Sequence, residues 1–123
     1  MKIFKYRTFE KWAKKQGVSD DDLKKAIIEI ENGLIDASLG GNVYKKRIGK
    51  LGQGKRGAYR TILLMKLGDK VIFAHGFSKG EQGNITKNEL EGFKVMAEAL
   101  LNLSTVQIDT LIDNKNLIEL SND

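Results

Sequence analysis

Seven basic side chains crowd one stretch of this chain. Lys45, Lys46, Arg47, Lys50, Lys55, Arg56 and Arg60 place a charge of +7 within residues 43–60. No Asp or Glu stands between Asp36 and Asp69 to neutralise it. Three of the four arginines share the stretch with Tyr44 and Tyr59. A guanidinium grips phosphate with a planar fork of donors, and aromatic rings stack on bases, so the combination points to nucleic acid rather than to a merely solvated loop. The whole chain carries +5; removing this segment's +7 leaves the other 105 residues at −2. A near-neutral body therefore carries one strongly basic segment.

Strand alternation sorts these residues by face. Over residues 43–48 it places Lys45 and Arg47 on one side and Tyr44, Lys46 and Ile48 on the other. On the next strand Arg60 shares a side with Ala58 and Ile62, opposite Tyr59, Thr61, Leu63 and Met65. Cations in register repel one another in the open and are costly to bury, so an anion seated among them is the natural reason for such a cluster. His75 and Phe77 share a face of a strand over residues 70–78, and Lys79 follows at its end. Imidazole titrates near neutrality and suits proton transfer; a plain packing role is the alternative for a lone strand histidine. Gly49-x-x-x-x-Gly54-Lys55 begins like a phosphate-binding P-loop. It fails at Arg56, where Mg²⁺ binding needs Ser or Thr, and a strand follows where a helix should start. A flexible, glycine-rich basic loop over residues 49–57 is the better expectation.

Helices and hairpins must position these groups. A first helix is predicted over residues 8–16, capped by Thr8, with Phe9, Trp12 and Ala13 on one face and Gly17 at its end. Ser19 caps a second, with Asp20, Asp21 and Asp22 in its first turn; three consecutive residues do not share a helix face, so capping explains them better than metal binding. Leu23, Ala26, Ile27 and Ile30 repeat at helical spacing until Asn32-Gly33. Strands at 34–39 and 43–48 flank Gly40-Gly41, and strands at 58–67 and 70–78 flank Gly68-Asp69. Thr86 with Glu89, and Ser104 with Gln107, are capping-box signatures for two more helices, and residues 117–120 can form a short last strand. The expected order is α-α-β-β-β-β-α-α. It implies an α+β fold: an antiparallel sheet of about four strands, helices on one face and the other face open.

Composition narrows the chemistry. A length of 123 residues is one domain, spanning 1–123. Without cysteine, and with His75 as the one histidine, there is no disulfide, thiol nucleophile, histidine relay or Cys/His metal site, and no cofactor is expected. No apolar run is long enough to span a bilayer and the start has no signal-like apolar region, which points to a cytoplasmic protein.

The ordered set Leu39-Gly-Gly-Asn-Val-Tyr-Lys-Lys-Arg-Ile48, Gly52-Gln-Gly-Lys-Arg-Gly-Ala-Tyr-Arg-Thr61, Gly76-Phe-Ser-Lys-Gly-Glu81 and Asn84-Ile85 resembles the RelE/HigB-like toxins of bacterial type II toxin–antitoxin systems. The likeness runs over essentially the whole chain. It implies a small toxin whose basic surface holds mRNA in the ribosomal A site and cleaves it without metal, a ribose 2′-OH attacking the adjacent phosphorus. By position, Arg60 matches the family's transition-state arginine. Lys45 and Arg47 match the basic pair that helps take up the 2′-OH proton and holds phosphate, and Lys79 matches the residue near the leaving group. Lys46, Lys50, Lys55 and Arg56 then become RNA-binding residues. The family often has Tyr or His beyond the position of Lys79, whereas this chain has no aromatic there until Phe93. Phe77 and Tyr59 are the remaining candidates for stacking, and His75 for donating a proton. The implied partners are mRNA, the ribosome and a cognate antitoxin, expected to be a helix-turn-helix protein. A ParE-like toxin acting on gyrase, which needs no phosphate-centred cluster, and a nucleic-acid-binding module without catalysis are the alternatives.

Overall fold

Local capping fixes where most helices begin. In the computed structural model, which describes residues 1–50, 54–78, 80 and 82–121 and only the backbone at 50 and 54–57, Ser19 and Asp22 exchange side-chain and backbone hydrogen bonds at the start of α2 (Asp20–Glu31). Thr86 with Glu89 starts α3 (Lys87–Leu101) in the same way, and Ser104 with Gln107 starts α4 (Thr105–Asp113). The Thr86 and Ser104 capping boxes and the Ser19 cap match expectation; that Asp22 completes a capping box with Ser19 is added by the structure.

The N-terminus departs from it. Residues Lys2–Tyr6 form a strand, β1, which runs straight into α1 (Arg7–Gln16). Tyr6 is therefore the N-cap and contributes no side-chain hydrogen bond, while Thr8 lies inside the helix. The Arg7 N–H is satisfied instead by the Asn116 carbonyl at 3.0 Å. Gly17 ends α1 as expected, in the left-handed conformation at φ 74°.

The sheet has six strands rather than about four. Its order is β2 (Ala37–Gly40), β3 (Val43–Lys50), β4 (Gly54–Lys66), β5 (Lys70–Phe77), β1, β6 (Leu117–Glu119). Every neighbouring pair is antiparallel except β1 and β5, which run parallel with Ile3 opposite Val71. The fold is α+β, as expected, with a mixed sheet. The supposed basic loop is largely strand: β3 reaches Lys50 and β4 starts at Gly54, and these two residues pair.

Helices cover both faces, which corrects the expectation of one open face. Phe9, Ala13, Leu23 and Ile27 of α1 and α2 pack with Ile3, Leu63, Met65 and Phe73. Ala97, Leu101 and Ile108 of α3 and α4 pack with Phe4, Ile62, Leu64 and Ile72 on the other side. Consecutive residues such as Ile62, Leu63 and Leu64 are all fully buried because each faces a helical layer. No single helix among the described residues is long and apolar enough to cross a membrane.

One irregularity in β5 matters for the site. Ile62 of β4 pairs with His75, yet Leu63 pairs with Phe73, so β5 carries an extra residue at Ala74. A bulge resets the alternation beyond it. His75 and Phe77 consequently point to the α3 face, and Gly76 lies on the α1 face beneath Trp12.

Candidate nucleic-acid interface

Arg47 and Arg60 are direct cross-strand partners in the β3–β4 ladder, and Phe77 continues the same row on β5. The next row joins Lys45, Ile62 and His75. All of these side chains belong to the α3 face. Side chains directly opposite in an antiparallel pair stand about 5 Å apart at Cβ, where like charges are destabilising. Arg47 is exposed, and Lys45 and Arg60 are half-buried. Arg60 is steadied from its own strand, donating from Nη1 to the Ala58 carbonyl at 3.3 Å. The backbone N–H of Arg47 donates to the Asp36 carboxylate, anchoring β3 at its edge.

No carboxylate among the described residues forms an ion pair with Lys45, Arg47 or Arg60, whereas the buried lysines elsewhere are paired. Lys5 lies between Glu10 and Asp20. Burial pulls the Lys5 pKa down, but hydrogen bonds and charge from those two carboxylates outweigh it and hold the ammonium above its ordinary range. Lys46 meets Glu29 at 2.7 Å. Cations that burial forces into contact with the core are thus matched, whereas those of the Arg47–Arg60 row have no carboxylate partner among the described residues.

Three expected RNA-binding residues offer no open contact on this face. Lys46 is 1% exposed and faces α2, so it cannot meet RNA on the arginine face. Tyr59 points to the α1 face, packs edge-on against Trp12 and donates its hydroxyl to the Gln16 carbonyl. Phe77 shares the arginine row but is 2% exposed within the α3 core, which removes it as an open stacking platform. Lys50, Lys55 and Arg56 sit on the β3–β4 hairpin, their side chains outside the described residues, and Lys79 lies wholly outside them.

His75 is more constrained than its sequence position suggests. Its ring stacks on Phe77 at a 5.6 Å centroid distance and packs against Phe93 of α3 at 5.7 Å. Its Nε2 meets Gln82 Oε1 at 3.2 Å. The Gln82 amide nitrogen donates to Glu89 Oε1 and to the Asn84 carbonyl, each at 2.9 Å. The Thr86 N–H also donates to Glu89 Oε1, and this bond above all lowers the Glu89 pKa, with smaller help from the Thr86 hydroxyl, the His75 charge and Gln82. Reading the sequence found Glu89 only as a helix cap and gave no signal for Gln82.

No group of three or more His, Cys, Asp or Glu among the described residues is arranged to hold a metal ion. A 230 Å³ cavity bordered by Lys2, Asp69, Lys70 and Asp109 lies at the far end of the sheet from the arginine row. The basic row instead sits on the sheet surface, a form that suits an extended polyanion.

The family model describing the RelE toxin of the RelE/RelB toxin–antitoxin system matches residues 1–120. A search of curated proteins gives no match.

Proposed function

This chain belongs to the RelE toxin family and is the toxin of a toxin–antitoxin system, with a cognate antitoxin as partner, and we propose that it is a ribosome-dependent mRNA endonuclease acting in the cytoplasm. The observation that carries this reading is the Arg47–Arg60 pair, in register on one face and without a carboxylate partner among the described residues. Cleavage by the ribose 2′-OH forms an O2′–P bond and breaks the P–O5′ bond. The 2′-OH loses its proton, the 5′-oxygen gains one, and a 2′,3′-cyclic phosphate and a 5′-hydroxyl result. Negative charge gathers on pentacoordinate phosphorus in the transition state, and fixed cations aimed there lower the barrier without a nucleophilic side chain.

In this reading Arg60 carries the transition-state charge. Lys45 and Arg47 serve the 2′-OH and the phosphate, Lys79 serves the leaving group, and His75 supplies the proton to the 5′-oxygen. Lys50, Lys55 and Arg56 extend the contact along RNA. The antitoxin is a helix-turn-helix protein. A purified translating ribosome with bound mRNA tests the assignment. Arg60→Ala should slow cleavage about 10²- to 10³-fold, the usual loss for one transition-state donor, while RNA affinity changes little. Equal cleavage by both proteins would remove Arg60 from the chemistry.

A further inference from the structure

The arrangement around His75 specifies which ring nitrogen is available. Gln82 spends its amide nitrogen on Glu89 and on the Asn84 carbonyl. Its amide oxygen is therefore the atom left to face His75 Nε2, and an amide oxygen only accepts. Nε2 must carry a proton in both the neutral ring and the imidazolium. No partner for Nδ1 exists among the described residues. Stacking against Phe77 and packing against Phe93 restrict rotation of the ring about its own axis. Gln82 and Glu89 thus join the start of α3 to the one histidine of the chain.

We propose that Gln82 and Glu89 are positioning residues for His75, holding Nε2–H and leaving Nδ1 as the nitrogen that gives and takes the catalytic proton. The assignment deepens the endonuclease reading and rests on it for the word catalytic, but the tautomer and its cause belong to the protein alone. In the imidazolium, Nδ1–H donates to the departing 5′-oxygen as the P–O5′ bond breaks, and the ring remains as the neutral Nε2–H form. Lys45 in the same row and Arg60 in the adjacent row are the charged groups of the sheet beside the ring. A second-layer amide and carboxylate that orient an imidazole in this way fix its tautomer.

His75 is the single histidine, so its ¹⁵N imidazole resonances are unambiguous in the intact protein. Glu89→Gln is the informative variant, because a glutamine at this position still closes the capping box and removes only the charge. The neutral ring should be the Nε2–H tautomer in the wild type. It should redistribute between its two tautomers in Gln82→Leu, and also in Glu89→Gln, where no carboxylate dictates which end of the Gln82 amide faces position 89. On translated mRNA, each variant should change the histidine limb of the cleavage-rate pH profile. An unchanged tautomer in both variants would overturn the proposal, whatever the enzyme does. If the tautomer changes while the wild type shows no RNA cleavage, the endonuclease reading fails and the positioning of His75 stands. If cleavage persists with Arg60 essential and the pH profile is the same in all three proteins, the proposal is overturned and Gln82 and Glu89 are structural only.

Discussion

Lys46 and Arg47 are adjacent in sequence and opposite in fate. Alternation assigns them to different faces, which is legible from the sequence alone. That the face of Lys46 is closed by α2 is not legible, because it depends on Glu29 arriving from a separate element. The difference makes a clear experimental contrast. Arg47→Ala should reduce the salt dependence of RNA binding by about 0.7 in log–log slope, the value for one phosphate contact on a single strand. Lys46→Met should leave that slope unchanged, as filter binding over a salt series can measure. Glu29→Gln strands a buried ammonium, and urea unfolding should show a loss of about 2–3 kcal/mol, below the cost of a fully buried pair because Glu29 keeps some solvent contact.

Among elements, those defined by nearby residues were readable and those defined by distant ones were not. Each capping box joins residues three apart, so Ser19, Thr86 and Ser104 announce their helices. β1 has no such signature. Ile3 and Phe4 are consecutive and both buried, one under each helical layer, so the strand lacks the polar–apolar alternation of a half-exposed one. The bulge at Ala74 is equally silent, yet it aims His75 at the face of Arg60. Gly76, just past it, has a readable glycine but an unreadable reason: a Cβ there would sit 2.3 Å from the Trp12 ring. Gly76→Ala should lower the denaturation midpoint without changing the m-value, a loss of about 1–3 kcal/mol from overpacking. The start of α3 has its own pH signature. Because the Thr86 N–H depresses the folded Glu89 pKa below 4.5, its stabilisation is complete above the ordinary carboxylate range and drains as pH falls through the folded value. Acid titration of wild type and Glu89→Gln should therefore diverge below about pH 4.5 and run parallel above it.

The whole molecule separates support from chemistry. Two helical layers and their matched ion pairs stabilise the sheet, and Lys45, Arg47 and Arg60 of the +7 segment have no carboxylate partner among the described residues. Charge patterning already located that segment; the fold adds that Arg47 and Arg60 meet in register. The central claim is that this surface cuts mRNA in the act of being translated. Its most direct measurement is transcriptome-wide mapping of 5′-hydroxyl RNA ends after induced expression, with and without translation. New ends inside translated codons, dependent on Arg60 and abolished when translation is blocked, are the expected result. Arrested growth with intact mRNA and damaged DNA would contradict it and point to gyrase instead.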